Sequence, residues 1–154
     1  MPATALQPVA GSLQPPMKLR VAYVGRPRSR ALNQAAADYA ARIAHFCDFA
    51  LRELREAGGA REKFPRALLV ALDPAGREMD SAAFAGRIQR WRDSGVREVV
   101  FLVSGAEGLP GKLRADYELL SLSRLTMPHE LARVVLLEQI YRAFTILHHH
   151  PYPK

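Results

Sequence analysis

The sequence has 154 residues, of which 49% are hydrophobic, which is enough for one domain with a real core and too little for two. No apolar stretch approaches the roughly 20 residues needed to span a bilayer, which favours a soluble protein without a membrane partner. The net charge of +7 favours a polyanionic partner such as nucleic acid, although charge alone does not decide this. The single cysteine, Cys47, fits a reducing cytoplasm, and its apolar neighbours favour a buried thiol over a nucleophile.

The first residues differ in composition from the rest of the chain. Residues 1–16 contain four prolines and no charged side chain, so we predict a disordered N-terminal extension there. The absence of Lys or Arg before Lys18 argues against a signal or transit peptide, and Met17 is an alternative start. Residues 17–154 are predicted to form a single domain.

Short apolar runs alternate with helical stretches along that domain. Predicted strands cover 19–25, 49–54, 67–72, 99–103 and 119–122. Predicted helices cover 29–46, 81–94, 109–117 and 128–147. Strands rich in Val and Leu on both faces predict an α/β fold, a mostly parallel sheet sandwiched by helices. The link 54–67 leaves little room for a crossover helix, so either it is irregular or the second strand lies at an edge.

The loops after the last three strands are candidates for a small-molecule site, because ligands of open α/β sheets bind at the carboxyl ends of strands. The glycines Gly105, Gly108 and Gly111 lack the close first pair of a dinucleotide fingerprint, which argues against a Rossmann site. Gly105 still allows backbone to approach a flat ligand, with plain turn chemistry as the alternative.

The last helix has a wide apolar face, which predicts burial by a second subunit and hence a homodimer. On that helix Glu138 and Arg142 have the i, i+4 spacing of a surface ion pair, which is the simplest account of Arg142.

The tail offers two interpretations. His150, Tyr152 and Lys154 provide an imidazole, a ring for stacking on a base and a cation for phosphate, but they also suit a packed terminus. The three consecutive histidines 148–150 diverge too much for a usual metal site, so we predict no metal.

A cluster of basic residues near the start of the domain contains no acid. The cluster consists of Lys18, Arg20, Arg26, Arg28 and Arg30. Of these, Arg26 to Arg30 follow the first strand and are predicted to project into solvent as a phosphate-binding patch, or else to form a solvated basic loop.

Three segments, VVFLVSGAEGL, LSLSRLTMPHELARVVLLEQIYRAF and HPY, resemble the ribosomal RNA large-subunit methyltransferase H family, in the SPOUT class of knotted methyltransferases. The resemblance runs from residue 17 to 154. It implies a C-terminal trefoil knot, a homodimer, and methyl transfer from S-adenosylmethionine to N3 of a pseudouridine in large-subunit (23S) ribosomal RNA, free or in an assembled ribosome.

The same resemblance assigns site residues. It places Arg142 and Tyr152 at the substrate, and His150 or His149 is the candidate to replace the histidine that the family carries in its tail. It places the cofactor against Leu72, Asp73, Gly105, Leu122, Ser123, Arg124, Leu125, Thr126 and Met127. The chemistry fits, because the N3 imide proton must leave as the methyl group arrives and nearby cations stabilise charge on the carbonyl oxygens.

The chain departs from the family in three places. Pro153 stands where the family has a histidine, Ser104 replaces the first of two glycines, and the helix after the second strand is expected to be missing. The loss of the tail histidine makes a non-catalytic RNA-binding dimer the alternative function.

Overall fold

The computed structural model describes residues 16–152. In chain order, its elements are β1 (Lys18–Val24), α1 (Arg30–Ile43), β2 (Asp48–Leu54), α2 (Gly59–Lys63), β3 (Leu68–Glu78), α3 (Ser81–Asp93), β4 (Glu98–Val103), a 3-10 helix (Gly111–Asp116), β5 (Glu118–Ser121) and α4 (His129–Leu147).

The five strands form one sheet in the order β2-β1-β4-β3-β5, and every neighbouring pair is parallel. In the centre of the sheet Val21 of β1 pairs with Leu51 of β2 and with Phe101 of β4. The predicted α/β class is therefore confirmed, and the trefoil knot stays a prediction. Among residues 16–152 no helix is long and apolar enough to cross a membrane.

The two faces of the sheet are covered unequally. Helices α1, α3 and α4 pack on one face, where Phe101, Ile88 and Ile140 are fully buried. The opposite face carries the short α2 and the residues around the 3-10 helix, with Leu102 and Phe64 in its smaller core. Both faces of the parallel sheet are covered, which explains why its strands are continuous apolar runs and not an alternation of apolar and polar residues.

Helix α4 lies between α1 and α3, so neighbours within the same chain bury most of its apolar face. Leu131 and Ile146 are the large apolar side chains of α4 that remain exposed, at 38% and 41%. The width of this face is thus explained without a second subunit, and the homodimer remains a prediction that needs another argument.

Helix starts follow local capping chemistry. The Oγ of Ser29 accepts a hydrogen bond from Leu32 N at 3.1 Å and caps α1, while Asp80 Oδ1 accepts from Ala83 N at 2.8 Å and caps α3. Pro128 precedes α4, where its fixed φ suits the first turn.

Two connections differ from the predictions. The helix after β2 was expected to be missing, but the link contains the five-residue helix α2. Strand β2 lies at the edge of the sheet, which was one of the two predicted alternatives. Only a 3-10 helix forms within 109–117, where Pro110 and Gly111 disfavour a regular α-helix.

Strand β3 is longer than predicted because it continues past a bulge. Both Leu72 and Arg77 pair with Leu120, so residues 73–76 protrude from the sheet. A Cβ on Gly76 would lie 2.6 Å from the backbone of Leu119 and Leu120, so only glycine fits there.

One residue of the basic cluster lies in the protein interior. Arg20 is buried in β1, where its Nη1 lies 3.1 Å from Asp48 Oδ1 and its Nε 3.7 Å from Glu98 Oε2. These carboxylates on the flanking strands neutralise Arg20, which is therefore separate from the solvent-facing patch predicted at 26–30. The extension predicted for 1–16 lies outside the described residues apart from Pro16, as do Pro153 and Lys154.

Candidate functional site

The bulge of β3 and the loops after β4 and β5 enclose a cleft of about 480 Å³, a size typical of small-molecule sites. Because β4, β3 and β5 are neighbours in the sheet, their carboxyl ends bring the three segments together. The start of α4 closes one wall. The lining residues are Leu72, Asp73, Pro74, Val103, Ser104, Gly105, Ala106, Gly108, Leu122, Ser123, Leu125, Thr126, Met127, Pro128, His129 and Ala132.

Of the residues predicted to bind a cofactor, only Arg124 is not part of this lining. Arg124 is exposed, between Ser123 and Leu125 on the same loop. Ser123 shapes that loop, because its Oγ accepts a hydrogen bond from Leu125 N at 3.0 Å. Leu125, 78% exposed, presents an apolar side chain at the mouth of the cleft.

The carboxylate in the cleft wall, Asp73, is held in place by two donors. Ala75 N donates to its Oδ1 at 2.8 Å, and Arg114 Nη1 donates to its Oδ2 at 2.6 Å. Burial opposes ionisation, but these hydrogen bonds and the charge of Arg114 outweigh it and hold the pKa of Asp73 below its usual range. Asp73 is therefore an anion at neutral pH.

The wall after β4 has features that suit a flat, partly polar ligand. Ser104 Oγ is buried and has no hydrogen-bond partner among residues 16–152. A Cβ on Gly105 would make only ordinary contacts with Val24, the nearest at 3.7 Å, so a side chain at this position would not distort the protein itself.

Sequence reasoning missed the residues that reach the cleft from other elements. These are His129 and Ala132 in the first turn of α4. The proline-opened start of α4 was the available signal, because a helix N-terminus following a strand-end loop is placed beside ligands of α/β sheets.

A second cluster lies further along α4. Glu138 Oε2 accepts hydrogen bonds from Arg142 Nη2 at 2.7 Å, from Arg142 Nε at 3.1 Å and from the Tyr152 hydroxyl at 3.1 Å. The Arg142 guanidinium lies 4.8 Å from the centre of the Tyr152 ring. The predicted Glu138–Arg142 ion pair is confirmed, and it also fixes the tail.

Ionisation in this cluster is set by its contacts. Burial, then hydrogen bonds to Tyr39 and Glu138, raise the pKa of Tyr152 well above its ordinary value. The hydrogen bond to Glu138 outweighs burial and raises the pKa of Arg142. At neutral pH Tyr152 is therefore a phenol and Arg142 a cation.

Two other candidates have simple surroundings. His150 is exposed, and its ring meets Phe46 edge-on with the ring centres 6.4 Å apart. Burial raises the pKa of the Cys47 thiol to about 12, so Cys47 is not a thiolate nucleophile at neutral pH.

The two clusters do not meet within one chain. Arg142, Tyr152 and His150 are absent from the cleft lining. Ala132 at the cleft and Arg142 are separated by ten residues of α4, roughly 15 Å along a helix axis.

Residues 17–153 match a protein-family model described as a predicted SPOUT methyltransferase. The chain is 46% identical over 138 residues to the ribosomal RNA large subunit methyltransferase H of Solibacter usitatus, covering 88% of this chain and 99% of that protein. It is 41% identical over 150 residues to the protein of that name from Pelobacter propionicus, with the same coverage of both chains.

A solved structure shows a similar fold. A probable methylase family protein from Haemophilus influenzae superposes with a TM-score of 0.55 at 12% identity, covering 88% of this chain and 72% of that chain. The resemblance drawn from the three sequence segments is thereby confirmed.

Proposed function

Since the chain belongs to the predicted SPOUT methyltransferase family, we propose that it methylates N3 of a pseudouridine in large-subunit ribosomal RNA, with S-adenosylmethionine as donor, in the cytoplasm. The observation that carries the proposal is the cleft at the carboxyl edge of the sheet. It occurs in a chain whose relatives, 41% and 46% identical, are named ribosomal RNA large subunit methyltransferase H.

The residues of the cleft suit S-adenosylmethionine. Leu72, Leu122 and Met127 supply apolar wall for an adenine ring, while Gly105 leaves its face open to backbone. Asp73 and the unpartnered hydroxyl of Ser104 supply polar groups. When bound, the donor supplies a methyl group on a positively charged sulfur.

The tail cluster suits the base. Tyr152, a phenol whose hydroxyl donates to Glu138, offers a ring to stack on the base, and its raised pKa means that it does not remove the N3 proton at neutral pH. Arg142 is placed to stabilise the charge that develops on a carbonyl oxygen when the N3 proton leaves. His150 remains the candidate for an imidazole that takes this proton.

The separation of the two clusters supports a homodimer. Transfer requires donor and base within contact distance, and one chain keeps Arg142 roughly 15 Å along α4 from the cleft. A two-fold pair in which one copy provides the cleft and the other provides the tail would complete the site twice.

The test is methyl transfer from labelled S-adenosylmethionine to large ribosomal subunits, followed by mass spectrometry of the digested nucleosides. We expect one methylpseudouridine per subunit, missing from the RNA of cells that lack the gene. Subunit binding without transfer would indicate a non-catalytic RNA-binding dimer instead. Labelling of free RNA but not of subunits would identify free RNA as the substrate.

A further inference from the structure

We propose that the loop between β1 and α1, residues 25–29, binds the phosphate backbone of the RNA beside the cleft, and that Glu130 is the positioning residue that fixes this loop. The inference rests on the proposed function and names the surface through which it recognises its substrate.

The loop carries free cations. Arg26, Arg28 and Arg30 are exposed, and their guanidinium groups form no hydrogen bond or ion pair with any residue in 16–152. This distinguishes them from Arg20 and Arg142, whose guanidinium groups form ion pairs with carboxylates. Unpaired guanidinium groups are suited to bidentate contacts with phosphate oxygens.

The loop lies at the edge of the cleft. Arg26 and Pro27 line a narrow crevice that shares Val103 and His129 with the larger cleft. Phosphates held by Arg26 or Arg28 would therefore flank a nucleotide whose base is presented to the cleft. Contacts of this kind set the register of the RNA without reading its sequence.

Glu130 ties the loop to the first turn of α4. Its Oε1 accepts hydrogen bonds from Ser29 N at 2.9 Å and from Arg28 N at 3.1 Å. The hydrogen bond from Ser29 N lowers the pKa of Glu130, burial opposes this effect, and the hydrogen bond from Arg28 N adds to it. Glu130 is therefore ionised at neutral pH. Because Glu130 occupies the N-terminus of α1, the loop binds phosphate through its arginine side chains and not through that helix end.

A buried cation lies under the loop. Arg133, 2% exposed, stacks its guanidinium on the Tyr23 ring at 4.4 Å from the ring centre, and its Nε and Nη1 have no hydrogen-bond partner among the described residues. No carboxylate in residues 16–152 forms an ion pair with it. Arg133 lines the same crevice as Arg26 and the ionised Glu130, so its positive charge offsets that of Glu130 and the exposed arginines determine the net charge of this surface.

The first test measures binding to large ribosomal subunits between 50 and 200 mM salt. Arg26→Ala and Arg28→Ala should each weaken binding and reduce the slope of log Kd against log salt by about one. Arg97→Ala is the matched control, because Arg97 is an exposed arginine before β4, at the opposite edge of the sheet. Its slope should equal that of the parent.

The second test separates positioning from charge. Glu130→Ala removes a negative charge beside the patch, so electrostatics alone predicts tighter RNA binding. If Glu130 positions the loop, Glu130→Ala should instead raise KM for subunits about tenfold, the cost of about one lost charge-assisted contact, with kcat nearly unchanged. Glu130→Gln keeps an acceptor oxygen and should restore most of the parent KM.

Three results would overturn the inference. They are slopes for Arg26→Ala and Arg28→Ala equal to that of Arg97→Ala, a KM for Glu130→Ala at or below the parent value, and a parent that does not bind subunits at 50 mM salt. Only the last also bears on the proposed function, and it overturns that function if free RNA is not methylated either. If the parent binds subunits without methylating them, the proposed enzymatic function is wrong. The salt dependence of binding by the loop variants still tests whether the loop contacts phosphates.

Discussion

The hydroxyl of Tyr152 donates to Glu138 Oε2 across 3.1 Å, although fourteen residues separate the two in sequence. The chain reverses after α4 at His149, which has a φ of +53°, and returns Tyr152 to the surface of the helix, where its ring packs on Tyr141. The tail is therefore a fixed part of the α4 surface, and its ring and Arg142 present one combined face.

We expect Tyr152→Ala and Arg142→Ala each to lower methyl transfer to subunits by roughly one or more orders of magnitude, because each removes a group that orients the base or stabilises its charge. Affinity for S-adenosylmethionine should be unchanged, since neither residue lines the cleft. Single-turnover assays and calorimetry measure the two quantities. Tyr117→Phe, a buried tyrosine in the other core, is the control. Parental turnover in both variants would reduce the tail to a packing element.

Gly105→Val should abolish binding of S-adenosylmethionine while leaving the fold intact. An added Cβ meets only ordinary contacts from Val24, the nearest at 3.7 Å, and Gly105 lines the cleft, so we expect the larger side chain to occupy cleft volume. Gly111→Val, at a glycine with no atom within 4 Å of its added Cβ, is the matched control. Calorimetry that finds the parental Kd in a folded Gly105→Val protein would refute the placement of the cofactor.

The composite site predicts complementation between inactive proteins. Gly105→Val damages the cleft and Arg142→Ala damages the tail, so a mixed dimer keeps one intact site. After subunit exchange of equal amounts, about a quarter of the parental activity should return, because about half of the dimers are mixed and each has one of two sites. Light scattering should show twice the chain mass. A mixture as inactive as its components would place cleft and tail of one protomer at the same site.

Gly76→Ala should destabilise the protein by about 2 kcal/mol, because its Cβ would overlap the backbone of Leu119 and Leu120 and push β5 away from β3. The control is Gly86→Ala in α3, where an added Cβ has no neighbour within 4 Å and should instead stabilise by roughly 0.5–1 kcal/mol. Urea denaturation gives both values. Equal midpoints for the two variants would mean that the bulge adapts.

The Asp73–Arg114 ion pair predicts a pH-dependent difference in stability. Because the folded-state pKa of Asp73 lies below its unfolded value, the pair stabilises the protein above about pH 3.9, and this contribution is lost as the pH falls through the folded pKa. Arg114→Ala should therefore be less stable than the parent at pH 7 and converge with it near pH 2. A difference that persists in acid would assign the effect of Arg114 to packing.

What the sequence could predict depended on the range of the interactions. The apolar runs of β1, β3 and β4 identify buried strands because the signal lies within each segment, and the loops at the strand ends locate the cleft. The burial of Arg20 could not be predicted, since Asp48 and Glu98 reach it from flanking strands 28 and 78 residues away. The bulge at 73–76 is likewise set by pairing with β5. The Tyr152–Glu138 contact depends on the chain reversal after α4, and its sequence separation does not match the spacing of neighbours on a helix.

The position of α4 between α1 and α3 has a consequence for synthesis of the protein. Its buried side chains Leu136, Ile140 and Phe144 join the core after the sheet, because α4 follows all five strands along the chain. Strand β1 likewise waits for β4, more than seventy residues later, before its second edge is paired. A nascent chain from which α4 has not yet emerged therefore exposes the apolar surfaces that α4 covers on α1 and α3, and exposed apolar surface of this kind promotes aggregation.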